Sequence, residues 1–103
     1  MQAAIADKLD ALADICRRHG VTRLEIFGSA ARGDFDPARS DADFLVTFQP
    51  AVRNDIGALD DLKESLEELL GRPVDLVERE TIEMSRNFIR RRAILREART
   101  LYG

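Results

Sequence analysis

The sequence predicts a small α/β (α+β) domain, in which a mixed β-sheet carries helices packed mainly on one face. Apolar residues recur at helical spacing near both ends and in the middle of the chain. Short segments between them alternate apolar and polar residues at strand spacing. The chain has 103 residues, of which 45% are hydrophobic and 34% charged. We therefore expect one compact domain over residues 1–103.

The first half of the chain predicts a helix, a strand and a short helix. One apolar stripe at helical spacing predicts the first helix, and its members are Ile5, Leu9, Leu12 and Cys16. A strand is predicted over residues 22–27, where it ends at Gly28. A short helix is expected over residues 29–32, and the polar residues 34–40 predict a loop.

The second strand has the clearest pattern, over residues 42–48. Alternation predicts two faces, with Ala42, Phe44, Val46 and Phe48 on one and Asp43, Leu45 and Thr47 on the other. A long helix is expected to begin after Asn54 or Asp55 and to stop at Gly71. A third strand over 74–78, a helical turn from Thr81 and a last helix over about 87–101 follow. The long helix is a crossover that makes strands two and three parallel, whereas strands one and two are expected to be antiparallel.

Composition and charge exclude several classes of protein. The formal net charge is −3, whereas a protein that binds DNA along its whole surface needs a basic one. The single cysteine, Cys16, rules out an internal disulfide and favours a cytoplasmic location. No signal-peptide pattern is evident, and no apolar run approaches the roughly 20 residues that span a membrane.

Three carboxylates are candidates for a metal site. Asp41 and Asp43 stand two residues apart at the start of a strand, so their side chains leave the same face. Asp75 interrupts the apolar segment 74–77, and it would reach the other two if strands two and three are neighbours. Carboxylate oxygens are the ligands that Mg²⁺ prefers. The alternatives are a loop or capping role for Asp41 and Asp43, and an arginine partner for Asp75.

Gly28 and Ser29 form a candidate phosphate-binding turn. Gly28 permits a close approach to a ligand, and Ser29 would start a helix whose free N–H groups can hold a phosphate. An ordinary serine N-cap is the alternative. Arg32 would either neutralise a triphosphate or pair with an acid such as Asp34. Phosphate binding together with divalent metal indicates phosphoryl or nucleotidyl transfer.

In these motifs the chain resembles the minimal nucleotidyltransferases, the MNT group of the DNA polymerase β superfamily. The resemblance rests on Phe-Gly-Ser-Ala-Ala-Arg-Gly at 27–33, Ser-Asp-Ala-Asp-Phe-Leu-Val at 40–46 and Val-Asp-Leu-Val at 74–77. It covers nearly the whole chain and implies a polymerase β-like core. It also implies a catalytic, metal-binding set of carboxylates for two Mg²⁺ ions and a nucleotide-binding turn: Asp41, Asp43 and Asp75, with Gly28, Ser29 and Arg32.

The reaction that this resemblance implies is nucleotidyl transfer. A nucleoside monophosphate, AMP from ATP, would pass to an acceptor hydroxyl with release of pyrophosphate. Eleven residues separate Ser29 from Asp41, one more than in many relatives, and this leaves the placement of Arg32 open.

The resemblance also implies a protein partner. Larger members of the superfamily carry an added acceptor-binding domain, which we do not expect in a chain of this length. Many similar MNT proteins are antitoxins that AMPylate a tyrosine of a HEPN-family ribonuclease toxin, so this toxin–antitoxin role is the leading expectation. An antitoxin that acts by binding alone and a transferase for small molecules are the alternatives. The nucleobase preference and a homodimer stay open.

The last segment of the chain is rich in arginine, at positions 86, 90, 91, 92, 96 and 99. Three interpretations are open: a solvated helix face, a docking surface for an acidic partner, and an RNA-facing patch. His19 is the only histidine, so we do not expect a zinc site.

Overall fold

The computed structural model describes residues 3–28, 42–53 and 55–103. Five helices lie in this part of the chain: α1 (Ala3–Ala6), α2 (Leu9–Arg18), α3 (Ile56–Leu70), α4 (Arg79–Glu83) and α5 (Phe88–Glu97). Four strands accompany them: β1 (Val21–Phe27), β2 (Ala42–Phe48), β3 (Val74–Glu78) and β4 (Arg99–Tyr102). The strands form one sheet in the order β3-β2-β1-β4.

The sheet is mixed, in agreement with the prediction. β1 is antiparallel to both β2 and β4, whereas β2 is parallel to β3. The crossover helix α3 joins the two parallel strands, and both of its ends have local causes. The Asp55 side chain accepts a hydrogen bond from the Ala58 N–H at 3.2 Å and so caps the start. Gly71 takes the left-handed conformation with φ 67°, which ends the helix.

The first helix differs from the prediction, because it is two helices rather than one. The Lys8 N–H donates to the Ile5 carbonyl at 3.0 Å, a tighter i→i−3 bond that separates α1 from α2. The predicted apolar stripe survives this break, since Ile5, Leu12 and Cys16 are all buried.

The C-terminal helix also differs, because it is shorter than the predicted 87–101. It ends at Glu97, and Ala98 has the extended dihedrals φ −60° and ψ 134°. Residues Arg99–Tyr102 instead form β4, in which Tyr102 pairs with Leu24 of β1. Pairing with the free edge of β1 supplies backbone hydrogen bonds that the helical spacing of residues 94–101 did not reveal. The turn predicted from Thr81 is α4, which begins two residues earlier.

Helices cover the two faces of the sheet unequally. The first face packs against α1, α2 and α3 around the larger core cluster, whose strand members are Val21, Leu24, Ile26, Ala42, Phe44, Val46, Phe48 and Val74. The second face packs against α4 and α5 around a smaller cluster with three buried residues, Leu45, Ile82 and Ile94. The fold therefore has helices mainly on one face, as predicted, and the alternation predicted for β2 is confirmed.

A membrane-crossing helix would have to be longer and more apolar than any that this part of the chain contains.

Candidate functional site

Two of the three predicted carboxylates lie side by side on the second face. Asp43 of β2 and Asp75 of β3 are register partners in the parallel pair. Since neighbouring strands lie about 4.8 Å apart and paired residues leave the same face, the two carboxylates project together. Asp43 is half-buried and Asp75 is exposed. The third predicted carboxylate, Asp41, lies outside the described residues.

The exposure of Asp75 tests the alternative in which its carboxylate is paired with an arginine rather than with a metal ion. An acid inside an apolar strand is costly when it is buried without a partner. Asp75 is exposed, however, so it keeps most of its hydration and needs no such partner. It makes no ion pair with any residue in 3–28, 42–53 or 55–103. An acid on the rim of the sheet is free to meet a ligand from solvent.

Gly28 brings the end of β1 directly against Asp43. Its neighbour Phe27 is the register partner of Asp43 across the antiparallel pair. Gly28 has φ 72°, and a Cβ atom placed on it would lie 2.8 Å from Oδ2 of Asp43. Both the left-handed backbone and the lack of space therefore require glycine here. The remaining members of the predicted turn, Ser29 and Arg32, lie outside the described residues.

The donor set at this rim suits a hard divalent cation. Mg²⁺ takes one or two protein carboxylates and completes its octahedron with water and substrate phosphates. Two carboxylates on adjacent strands repel each other, and a cation between them would relieve that repulsion. Among the described residues, no group of three or more acidic, histidine or cysteine side chains could hold a metal ion. Asp43 and Asp75 are thus two members of a predicted set whose third residue is not described.

A buried ion pair on the same face was not predicted from the sequence. The Glu25 side chain is only 3% exposed, and Nη1 of Arg79 lies 2.6 Å from each of its carboxylate oxygens. Nε of Arg23 lies 3.5 Å from Oε1 of Glu25. The hydrogen bond to Glu25 raises the pKa of the Arg79 guanidinium. Glu25 belongs to β1, where it is the register partner of Leu45, and Arg79 belongs to α4. The ion pair therefore holds α4 against the second face of the sheet.

The fold and this rim together define the class of protein. Residues 9–98 match the sequence model of the nucleotidyltransferase domain family, and the chain therefore belongs to that family. Proteins of this family generally use a nucleoside triphosphate and a divalent metal ion.

Three solved structures have a fold similar to that of this chain. One protein assigned as a minimal nucleotidyltransferase is 35% identical, with a TM-score of 0.72 over 91% of this chain and 89% of its own. A toxin–antitoxin complex with AMP-PNP is 21% identical, with a TM-score of 0.68 over 92% and 73% of the two chains. A complex of an MNT antitoxin with the tri-AMPylated HEPN toxin of Shewanella oneidensis is 18% identical, with a TM-score of 0.64 over 96% and 72%. The last two likenesses show the fold alone. No curated protein sequence matches this chain significantly.

Proposed function

We propose that this chain is a magnesium-dependent nucleotidyltransferase that transfers AMP from ATP to a hydroxyl group of a partner protein. We further propose that the partner is a HEPN-family ribonuclease toxin, for which this chain is the cytoplasmic antitoxin. One observation carries the chemistry: the Gly28 turn, Asp43 and Asp75 meet at one rim of the second face. Membership of the nucleotidyltransferase family supports the same reaction.

Each residue at the rim has a proposed role. Asp41, Asp43 and Asp75 would hold two Mg²⁺ ions, which when bound supply charge stabilisation for the phosphates. Gly28 and Ser29 would bind the triphosphate through backbone N–H groups and the serine hydroxyl. These contacts would orient the α-phosphorus toward the open side of the rim, where Asp75 is exposed.

The proposed reaction forms one bond and breaks one. The acceptor hydroxyl oxygen attacks the α-phosphorus, and the bond between this phosphorus and the α–β bridging oxygen breaks. Pyrophosphate leaves, and AMP stays on the acceptor as a phosphodiester. The hydroxyl proton passes to a carboxylate at the rim, for which Asp75 is the most accessible described candidate. Arg32 would neutralise charge on the triphosphate.

The proposal of a protein acceptor rests on the related structures. The Shewanella oneidensis toxin bound to its MNT antitoxin is AMPylated, and that antitoxin shares the fold of this chain. We propose that residues 1–103 form one minimal transferase domain and that the partner presents its own hydroxyl to the rim.

The decisive experiment measures transfer to the product of the reading frame next to the gene for this chain, which the proposal expects to be a HEPN-type protein. With ATP radiolabelled at the α-phosphate and Mg²⁺, the partner should become labelled and pyrophosphate should appear. Asp43→Asn removes one metal-binding oxygen charge at nearly constant size, and we expect labelling to fall at least about 100-fold. Asp60→Asn, at an exposed position on α3, is the matched control and should label as the parent does.

Two results would contradict the proposal. Asp43→Asn that labels as well as the parent, with an unchanged circular dichroism spectrum, would remove the carboxylates from the reaction. Full protection against the toxin by an Asp41→Asn/Asp43→Asn double variant would instead favour an antitoxin that acts by binding alone.

A further inference from the structure

Helix α5 carries apolar residues on two opposite sides. Ile94 is buried and Leu95 partly buried in the cluster under the helix. Phe88 and Ile89, by contrast, are 62% and 73% exposed. Ile56 and Met84 are the other exposed large apolar side chains in the described part of the chain. A helix that only covers a sheet needs one apolar side, so the second one requires a different explanation.

The exposed side of α5 forms a defined surface. A shallow depression of about 220 Å³ is lined by five residues, Phe88, Ile89, Arg92, Ala93 and Arg96, which we call the basic–apolar face. Positions 88, 92 and 96 repeat every four residues, as do 89 and 93, so all five lie along one side of the helix. The face carries two positive charges in a chain whose net charge is −3. Its composition of aromatic, aliphatic and arginine side chains is typical of the centre of a protein interface.

The basic–apolar face stands close to the candidate site. Ala98, just past the end of α5, belongs to the same cluster as Phe27, the register partner of Asp43. Leu45 belongs to this cluster too, and it lies two residues past Asp43 on β2, or about 7 Å along the strand. Helix α5 therefore packs on the second face over β1, the strand that neighbours Asp43 of β2. A protein bound to its outer side has only the width of one helix, about 10 Å, between it and that face of the sheet.

We propose that the basic–apolar face is the docking surface for the acceptor protein, which meets it with acidic side chains around an apolar groove. This inference rests on the proposed function and names the surface through which the partner is held. The arginines would pair with the acidic rim of the partner, and Phe88 and Ile89 would enter its groove. RNA is disfavoured as occupant because three of the five residues are apolar and the net charge of the chain repels a phosphate backbone.

The test measures, without nucleotide, the affinity of this chain for the same expected partner, the product of the neighbouring reading frame. Ile89→Asp and the double variant Arg92→Glu/Arg96→Glu should each raise Kd at least about tenfold, as expected for central interface residues. Matched controls exist on surfaces away from α5. Ile56→Asp changes an isoleucine that is 79% exposed, and Arg17→Glu/Arg18→Glu reverses two exposed charges on α2. Both controls should keep Kd within about twofold of the parent.

Transfer kinetics give a second readout. The two variants of the basic–apolar face should raise KM for the partner and leave KM for ATP unchanged. At saturating partner, kcat should return to the parental value, because neither variant touches the carboxylates. Asp43→Asn should show the reverse, with parental affinity for the partner and lost transfer.

Several outcomes would overturn the docking proposal. Parental Kd for both face variants would do so, as would an equal loss in the Arg17→Glu/Arg18→Glu control, which would indicate long-range charge attraction alone. The proposal also fails if the partner does not bind the parent. It fails again if the face variants lose only binding of a uridine 20-mer or only self-association, with partner affinity intact. Transfer that fails while face-dependent docking persists would contradict the proposed function alone.

Discussion

The two faces of the sheet are built from the same strands but differ in almost every physical property. Within the described part of the chain, the first face lies under α1, α2 and α3 and is filled by fifteen buried apolar residues. The second face there has three buried apolar residues, the Glu25–Arg79 ion pair and the adjacent carboxylates of Asp43 and Asp75. Neighbours on one strand, such as Asp43 and Phe44, belong to opposite faces.

The contrast between the two faces shows how a chain of 103 residues combines a stable core with a charged site. A small domain has little apolar surface to bury, so the folding free energy must come from a well-packed core. The first face supplies that core, because its apolar side chains are enclosed between the sheet and the helices α1, α2 and α3. The second face is then free to carry polar groups whose desolvation would otherwise cost stability. We expect substitutions on the first face to change stability, and substitutions at the rim of the second to change chemistry.

The largest effect expected from this comparison comes from one change made on each face. Leu66 is fully buried on α3, whereas Leu95 is partly buried on α5. Leu66→Ala should lower the free energy of unfolding by about 3–5 kcal/mol, because it leaves a cavity in the tightly packed core. Leu95→Ala should lower it by about 1–2 kcal/mol, since part of that side chain is already hydrated. Urea unfolding of both variants, with unchanged m values, measures the difference. Equal losses would mean that the second face contributes as much packing as the first.

The ion pair under α4 offers a smaller effect on the second face. Arg79→Met leaves the Glu25 carboxylate buried, with Arg23 at 3.5 Å as its remaining ion-pair partner among the described residues. We expect the free energy of unfolding to fall by about 3 kcal/mol, the lower end of the range for breaking a buried pair. Replacing both partners, with Glu25→Leu and Arg79→Met together, should recover most of that loss because no buried charge remains.

An exposed pair gives the control for this prediction. Nε of Arg18 lies 3.3 Å from Oδ2 of Asp14, and both side chains are about 60% exposed. Arg18→Met should change stability by no more than about 0.5 kcal/mol, measured by the same urea titration. If Arg79→Met is equally mild, then α4 is not fixed to the sheet through Glu25.

Local patterns in the sequence predicted the first face better than the second. The alternation over 42–48 predicted the bounds of β2 as the structure has them, and Gly71 predicted the end of α3. Both features depend only on residues that are close in the sequence. The missed features depend on distant ones: β4 forms through pairing with β1, and Arg79 meets Glu25 across 54 positions of the sequence. The spacing of apolar residues along the chain does not reveal contacts between residues that are far apart in the sequence.

The candidate site shows the same limit. Parallel pairing of β2 with β3 was predicted, and it is confirmed. The register that sets Asp43 opposite Asp75 could not be predicted, because a shift of one residue would turn one of the two carboxylates to the other face. The contact between Gly28 and Asp43 likewise needs the register of β1 on β2. The metal-binding role of these residues, and every role of Ser29, Arg32 and Asp41, stays a prediction.

Apart from the Arg18→Met control, the smallest expected effect tests whether water reaches the interior of the first face. Burial raises the pKa of the Cys16 thiol from 9.0 to about 11. Between these values the unfolded chain releases the thiol proton and the folded chain keeps it. The free energy of unfolding should therefore be unaffected below pH 9 and fall as the pH rises toward 11, by an amount on the order of 1 kcal/mol at pH 10.

Cys16→Ala removes this thiol and should flatten that part of the stability–pH curve, while the contributions of other groups are common to both proteins. Thermal unfolding at intervals from about pH 8 to about pH 10.5 compares the two slopes. Equal slopes would mean that water reaches Cys16, and the first face would then lack the dry interior that sets it apart from the second.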